Sequence, residues 1–158
     1  MFLADFCYYH SLGVMMELAL VARRVLYVED NPADAYLLDF SLNPESLPSF
    51  DLTVLQDGEK ALQFISSKPF QPELIILDVE IPKVDGLTVL AALKADPLFN
   101  GIPVLVFVVP NSPNSKRARE LKADLCLAKP SDLEGFDEVR QAIQSLCPSR
   151  TESLATGA

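Results

Sequence analysis

Glu73-Leu74-Ile75-Ile76-Leu77-Asp78-Val79-Glu80-Ile81-Pro82-Lys83-Val84-Asp85-Gly86 is the stretch around which this chain is organised. Leu74 to Leu77 are four consecutive aliphatics with no polar alternation. That pattern belongs to a strand covered on both faces, hence to a central parallel strand of an α/β sheet. The run stops on Asp78, an acid at the carboxyl end of the strand, where ligands of open α/β sheets sit. Pro82 and Asp85-Gly86 then force a loop before the next helix. Taken alone, Asp78 reads first as a strand-ending turn residue and second as a reactive carboxylate. The rest of the chain reverses that order.

Outward from this stretch, strands and helices alternate. Upstream, Arg24 to Val28 forms a strand that ends on Glu29-Asp30, and Asn31-Pro32-Ala33-Asp34 carries helix-start chemistry with Pro32 near the first helical position. The helix runs to about Asn43, with Tyr36, Leu37, Phe40 and Ser41 on one side. Leu52 to Leu55 is a second strand, and Asp57-Gly58 turns into a helix carrying Ala61, Leu62 and Ile65. Downstream, Gly86 opens a helix with Leu87, Leu90, Ala91 and Lys94 at helical spacing, which Asp96-Pro97 stops. Val104 to Val109 is another doubly buried strand, and a short basic helix spans Ser115 to Leu121. Asp124 to Ala128 is the last strand, followed by Lys129-Pro130. Ser131-Asp132-Leu133-Glu134 matches a capping box, and Phe136, Val139, Ile143 and Leu146 mark the final helix. Five such alternations at βαβ spacing predict a flavodoxin-like three-layer α/β fold, a five-stranded parallel sheet in the order 2-1-3-4-5.

The 158 residues suit one domain, and a hydrophobic content of 49% excludes general disorder. Lys and Arg total 13 against 22 Asp and Glu, a formal charge of -9, which disfavours unspecific binding to nucleic acid or to an anionic membrane. Cys7, Cys126 and Cys147 follow no metal-ligand spacing, and no export signal precedes them, so they read as reduced thiols in a cytoplasm. Residues 1–22 are apolar but carry Asp5 and Glu17 and lack a basic start, which argues against a signal peptide or a membrane span. Phe2, Phe6, Tyr9, Gly13, Met16 and Leu20 fit one stripe of an extra helix. Residues 148–158 read as a disordered tail.

The predicted order brings the ends of the first, third and fifth strands to one crevice, with Glu29 and Asp30, Asp78, and Lys129 around it. Clustered carboxylates repel one another, and a hard divalent cation with oxygen ligands relieves the repulsion; Mg²⁺ fits. A lysine opposite would pair with a carboxylate or with a phosphoryl group placed on it. The set suits phosphoryl transfer onto Asp78, with metal and ammonium neutralising the transition state.

Val25-Leu26-Tyr27-Val28-Glu29-Asp30-Asn31-Pro32-Ala33-Asp34, Leu74 to Gly86, and Ala128-Lys129-Pro130, in this order and at these separations, resemble the receiver domain of two-component response regulators. The likeness covers residues 23–147. The Glu-Asp-Asn-Pro-Ala-Asp run is similar to stand-alone receivers, including those partnered with bacterial phytochromes. The resemblance implies that Asp78 accepts the phosphoryl group and shares Mg²⁺ with Asp30 directly, with Glu29 through water, and with the backbone carbonyl of Glu80. It implies that Lys129 contacts the phosphoryl oxygens and that the Lys129–Pro130 peptide is cis. It also implies a sensor histidine kinase or phosphotransfer protein upstream and a downstream protein target, met through the face of the fourth helix, fifth strand and fifth helix. A homodimer is left open.

Two positions depart from the pattern. Val108 stands where receivers carry Thr or Ser, whose hydroxyl binds the new phosphoryl group, and Cys126 stands where an aromatic commonly rotates with that hydroxyl. These departures keep open a second reading, a degenerate receiver that acts as a phosphorylation-independent binding module. An aspartate-nucleophile phosphatase is disfavoured because Glu80 replaces the usual second Asp and no cap insertion is present. A Ser/His or Cys/His pair is hard to build, since His10 is the only histidine and lies outside the fold. The chain does not read as an enzyme.

Overall fold

A computed structural model describes residues 22–44 and 49–148. The expected extra helix within residues 1–22, all but the last of these residues, and the expected tail, after its first residue, lie outside them. Five strands are present: β1 (Arg23–Val28), β2 (Phe50–Leu55), β3 (Leu74–Asp78), β4 (Val104–Phe107) and β5 (Leu125–Leu127). They alternate with α1 (Pro32–Leu42), α2 (Gly58–Ser67), α3 (Gly86–Ala95), α4 (Pro113–Glu120) and α5 (Leu133–Leu146). The sheet order is β2-β1-β3-β4-β5 with every pairing parallel, as the alternation predicts.

Successive strand residues face opposite sides, so each strand feeds two cores. Leu26, Val28, Ile75, Leu77, Val104 and Val106 pack with α2, α3 and α4 on one face. Val25, Tyr27, Leu74, Ile76, Leu105 and Phe107 pack with α1 and α5 on the other. All five residues of β3 are buried, which is why the run Leu74–Leu77 has no polar alternation. Burying each such side chain stabilises by about 1.5–3 kcal/mol.

Several local expectations shift in register. The side of α1 that is buried is Leu38, Ser41 and Leu42, whereas Tyr36 and Phe40 stack on each other with centroids 6.3 Å apart and are exposed. At 3.6 residues per turn, a reading built on the two aromatics lands on the wrong face. The buried stripe of α3 is Gly86, Val89, Leu90 and Leu93, with Leu87 and Ala91 only partly covered. The cap of α5 is Asp132, whose carboxylate accepts from the Gly135 N–H at 2.8 Å, so the Ser131 capping box is displaced by one residue. β4 ends at Phe107; Val108 is still buried, but Val109 is exposed.

Two glycines allow the loop after β3 to fold tightly under the strand ends. A Cβ on Gly86 would stand 2.3 Å from the Asp78 carbonyl oxygen, and one on Gly58 would stand 2.0 Å from that of Val84. Gly86 N–H donates to the Val79 carbonyl and Gly58 N–H to the Pro82 carbonyl, at 3.0 and 3.2 Å. The same loop holds Lys83 at φ 68°, and its ammonium reaches Asp57 at 3.0 Å and Glu59 at 3.2 Å.

Candidate functional site

The strand order reverses between β1, which pairs with β2 on one side, and β3 on the other. This is the switch point at which α/β sheets open a crevice, and the register Val28↔Leu77 sends the next residues, Glu29 and Asp78, out side by side. Asp78 is 6% exposed. Its Oδ1 accepts the Glu80 N–H at 2.9 Å, and its Oδ2 accepts from Lys129 Nζ at 2.8 Å.

Lys129 enters from the segment after β5 and is held by three carboxylates. Its Nζ lies 2.6 Å from Glu29 Oε2, 2.9 Å from Asp34 Oδ2 and 2.8 Å from Asp78 Oδ2. Burial works against the ammonium, but the hydrogen bonds to Asp78, Glu29 and Asp34 outweigh it and raise its pKa. Glu29 is 1% exposed; its other contacts are the Tyr27 hydroxyl at 2.9 Å and the Asn31 N–H at 2.9 Å. Burial pushes its carboxyl up, against the pull of Lys129 and of its hydrogen bonds. The Tyr27 phenol is itself pushed up, first by burial and then by Glu29. Tyr27 is thus a donor fixed on Glu29, a role that its place in an apolar strand had hidden.

The structure therefore brings together Glu29, Asp78 and Lys129, and adds Asp34, which the strand-end pattern missed. Asp34 belongs to the first turn of α1, where a negative charge already has a helix-dipole explanation. Asp30 is exposed and enters no ion pair among the described residues. The expected cis bond before Pro130 is absent; the peptide is trans. Proline lowers the trans preference to about 0.5–1 kcal/mol without abolishing it, and Lys129 reaches Asp78 from the trans form.

No three His, Cys, Asp or Glu side chains among the described residues are arranged as a metal cage, because Glu29, Asp34 and Asp78 are turned to the ammonium. The donor chemistry nonetheless fits a hard cation. Asp30 follows Glu29 out of β1 and enters no ion pair among the described residues, Asp78 and Glu80 line the cleft, and the Glu80 carbonyl accepts no hydrogen bond from the described residues. Such a set of oxygens around a partly hydrated ion is what Mg²⁺ takes.

A cleft of about 510 Å³ opens beside Asp78 and Lys129, and Val108, Val109 and Pro110 form its apolar wall. Val108 is 7% exposed and donates its N–H to the Leu127 carbonyl at 2.9 Å, so its side chain offers the cleft methyl groups and no donor. Cys126 is half-buried, and desolvation pushes its thiol up while Arg119 pulls the other way. It packs against the core as a small hydrophobe, which is the inert kind of cysteine.

A family model described as "Response regulator receiver domain" matches residues 25–144. The response regulator Rcp1 of Synechocystis sp. is 32% identical over 127 residues, which is 77% of this chain and 86% of that protein. The crystal structure of the Mn(2+)-bound form of response regulator Rcp1 superposes with a TM-score of 0.69 at 32% identity, covering 78% of this chain and 92% of that one. That of the phosphorylated cyanobacterial phytochrome response regulator RcpA gives 0.70 at 27% identity, with the same coverage.

Proposed function

Because the chain belongs to the response regulator receiver domain family, we propose that it serves a two-component phosphorelay by accepting a phosphoryl group on Asp78. The observation that carries this is the Asp78 carboxylate at the mouth of an open cleft, with the Lys129 ammonium 2.8 Å away. An Asp78 oxygen attacks the phosphorus of a phosphohistidine or small phosphodonor, an O–P bond forms, and the bond to the leaving group breaks with its electrons going to that group. Lys129 neutralises charge on the phosphoryl oxygens, where a fixed ammonium is worth more than in water. Mg²⁺, held by Asp30, Asp78 and the Glu80 carbonyl, with Glu29 through water, would supply the remaining neutralisation. The relatives support this reading by their own states, one Mn²⁺-bound and one phosphorylated.

The donor would be a sensor histidine kinase or phosphotransfer protein, of the phytochrome type that the relative RcpA serves. The signal would leave through contact with a protein target. No described helix is long and apolar enough to cross a membrane.

A second reading has one specific observation behind it. Val108 gives the cleft no hydroxyl, so a phosphorylation-independent binding module would lose nothing by it. Incubation with Mg²⁺ and a small acyl-phosphate donor, followed by intact-mass measurement, separates the two. One added phosphoryl group in the wild type and none in Asp78→Asn is expected; no addition to the wild type would leave only the binding module.

A further inference from the structure

Asp34 is the member of the cluster to which the phosphoacceptor reading gives no task. We propose that Asp34 is a positioning residue for phosphoryl transfer, keeping the Lys129 ammonium in the cleft when its two other carboxylate partners are drawn away. The proposal rests on the reading of Asp78 as phosphoacceptor.

An ammonium has three N–H donors, and here three carboxylate oxygens surround it at 2.6 to 2.9 Å. Two of those partners change during the proposed reaction. Asp78 gives its carboxylate to the new O–P bond, and Glu29 belongs to the set that would surround the metal. Asp34 is the one partner that neither event claims. A lysine side chain is rotamer-rich, and without a fixed anion it would spread over many conformers just when the phosphoryl oxygens need it.

Asp34 is itself well fixed. Pro32 at the start of α1 presets the first turn, and the Asn31 side chain caps it by accepting the Ala33 N–H at 3.0 Å. The Asn31 amide donates to Asp34 Oδ2, the oxygen that faces Lys129, at 3.2 Å. The positive end of the helix favours its charge. Asp34 thereby ties the start of α1 to the segment after β5 across the mouth of the site. A first-turn acid that served only the helix start would need no contact with Lys129.

The test compares wild type, Asp34→Asn, Lys129→Met and the double variant for phosphorylation rate with Mg²⁺ and a small acyl-phosphate donor. Calorimetric titration with Mg²⁺ alone runs alongside. Coupling energies of contacting charged pairs predict that Asp34→Asn slows phosphorylation by about fivefold or more, and that it adds no loss once Lys129 is Met. Asp34→Glu should recover part of the rate. Since Asp34 is not read as a ligand, Mg²⁺ affinity should stay within about twofold of wild type, the effect of one screened neighbouring charge. A rate equal to wild type, or the same loss with and without Lys129, overturns the proposal. So does a fall in Mg²⁺ affinity as large as that of Asp30→Asn, which would make Asp34 a ligand. Wild type that takes no phosphoryl group overturns the phosphoacceptor reading and this proposal together, a result distinct from an insensitive Asp34→Asn.

Discussion

Val108 lines the cleft beside Asp78 with two methyl groups, and under the proposed phosphoacceptor reading it bears directly on how much of a signal phosphorylation would send. A modification shifts a conformational equilibrium only by its differential affinity for the two states. A hydroxyl here would donate to a charged group, worth about 1.5–3 kcal/mol, so its loss shrinks the shift by about tenfold or more. Val108→Thr is therefore expected to restore a phosphodonor-dependent change in amide-exchange protection over Val109 to Arg117. Large protection changes already present in wild type, and untouched by the substitution, would sink this account. Asp78 stands out in the sequence because it ends an apolar strand with an abrupt change of polarity, whereas Val108, flanked by Phe107 and Val109, is marked only by the resemblance to receivers. Asp34 was not legible as a site residue, because an acid three positions after a capping Asn already satisfies the helix start. The available signal was its placement: Asn31-Pro32 sets the helix to begin at the strand ends, which aims its first turn at the crevice.

At the scale of elements, strands were easier to read than helix faces. Leu74 to Leu77 read as a doubly covered strand, and β3 is buried along its whole length. The sides of α1 could not be fixed from Tyr36 and Phe40, since an apolar ring pair covers itself by stacking on the surface as readily as it enters a core. The loop after β3 was legible as a loop, but not as a clamped one. Its anchor is Asp57, which caps α2 by accepting the Lys60 N–H at 2.8 Å and pairs with Lys83 at 3.0 Å. The Lys60 N–H and then Lys83 hold the Asp57 carboxyl below its ordinary 3.8. A depressed folded pKa contributes stability that is present above 3.8 and is lost as pH falls through the lower folded value. Asp57→Asn keeps a capping side chain but no charge, so it should melt below wild type at about pH 7, with the gap closing as pH falls below about 4. Melting curves across that range check the sign; a gap that stays constant down to about pH 2.5 would assign the loss to packing rather than to the carboxylate.

The molecule as a whole is two cores back to back on one sheet, and every described member of both lies between Val25 and Cys147. Arg23 opens the sheet, pairing with Glu73 at 2.6 Å and donating to the Pro148 carbonyl at 2.7 Å, so the described fold is tied together at its two ends. The architecture was legible at this scale because five strand-helix alternations admit few topologies once crossovers are right-handed and short. What residues 1–22 add is a separate matter, since the apolar stripe expected from their sequence would cover a partner or nothing. The sheet is complete from Arg23 onward, so a chain beginning at Met16 should keep both cores and unfold in one cooperative transition. In a domain of this size a loss of about 1 kcal/mol lowers Tm by about 4 °C, and the shortened chain should stay within that shift. Calorimetry of the two chains at matched concentration makes the comparison, because an assembly's Tm would move with dilution. Aggregation, or a broad transition in the shortened chain alone, would mean that the apolar stripe from Phe2 to Leu20 covers part of the core or an interface between copies.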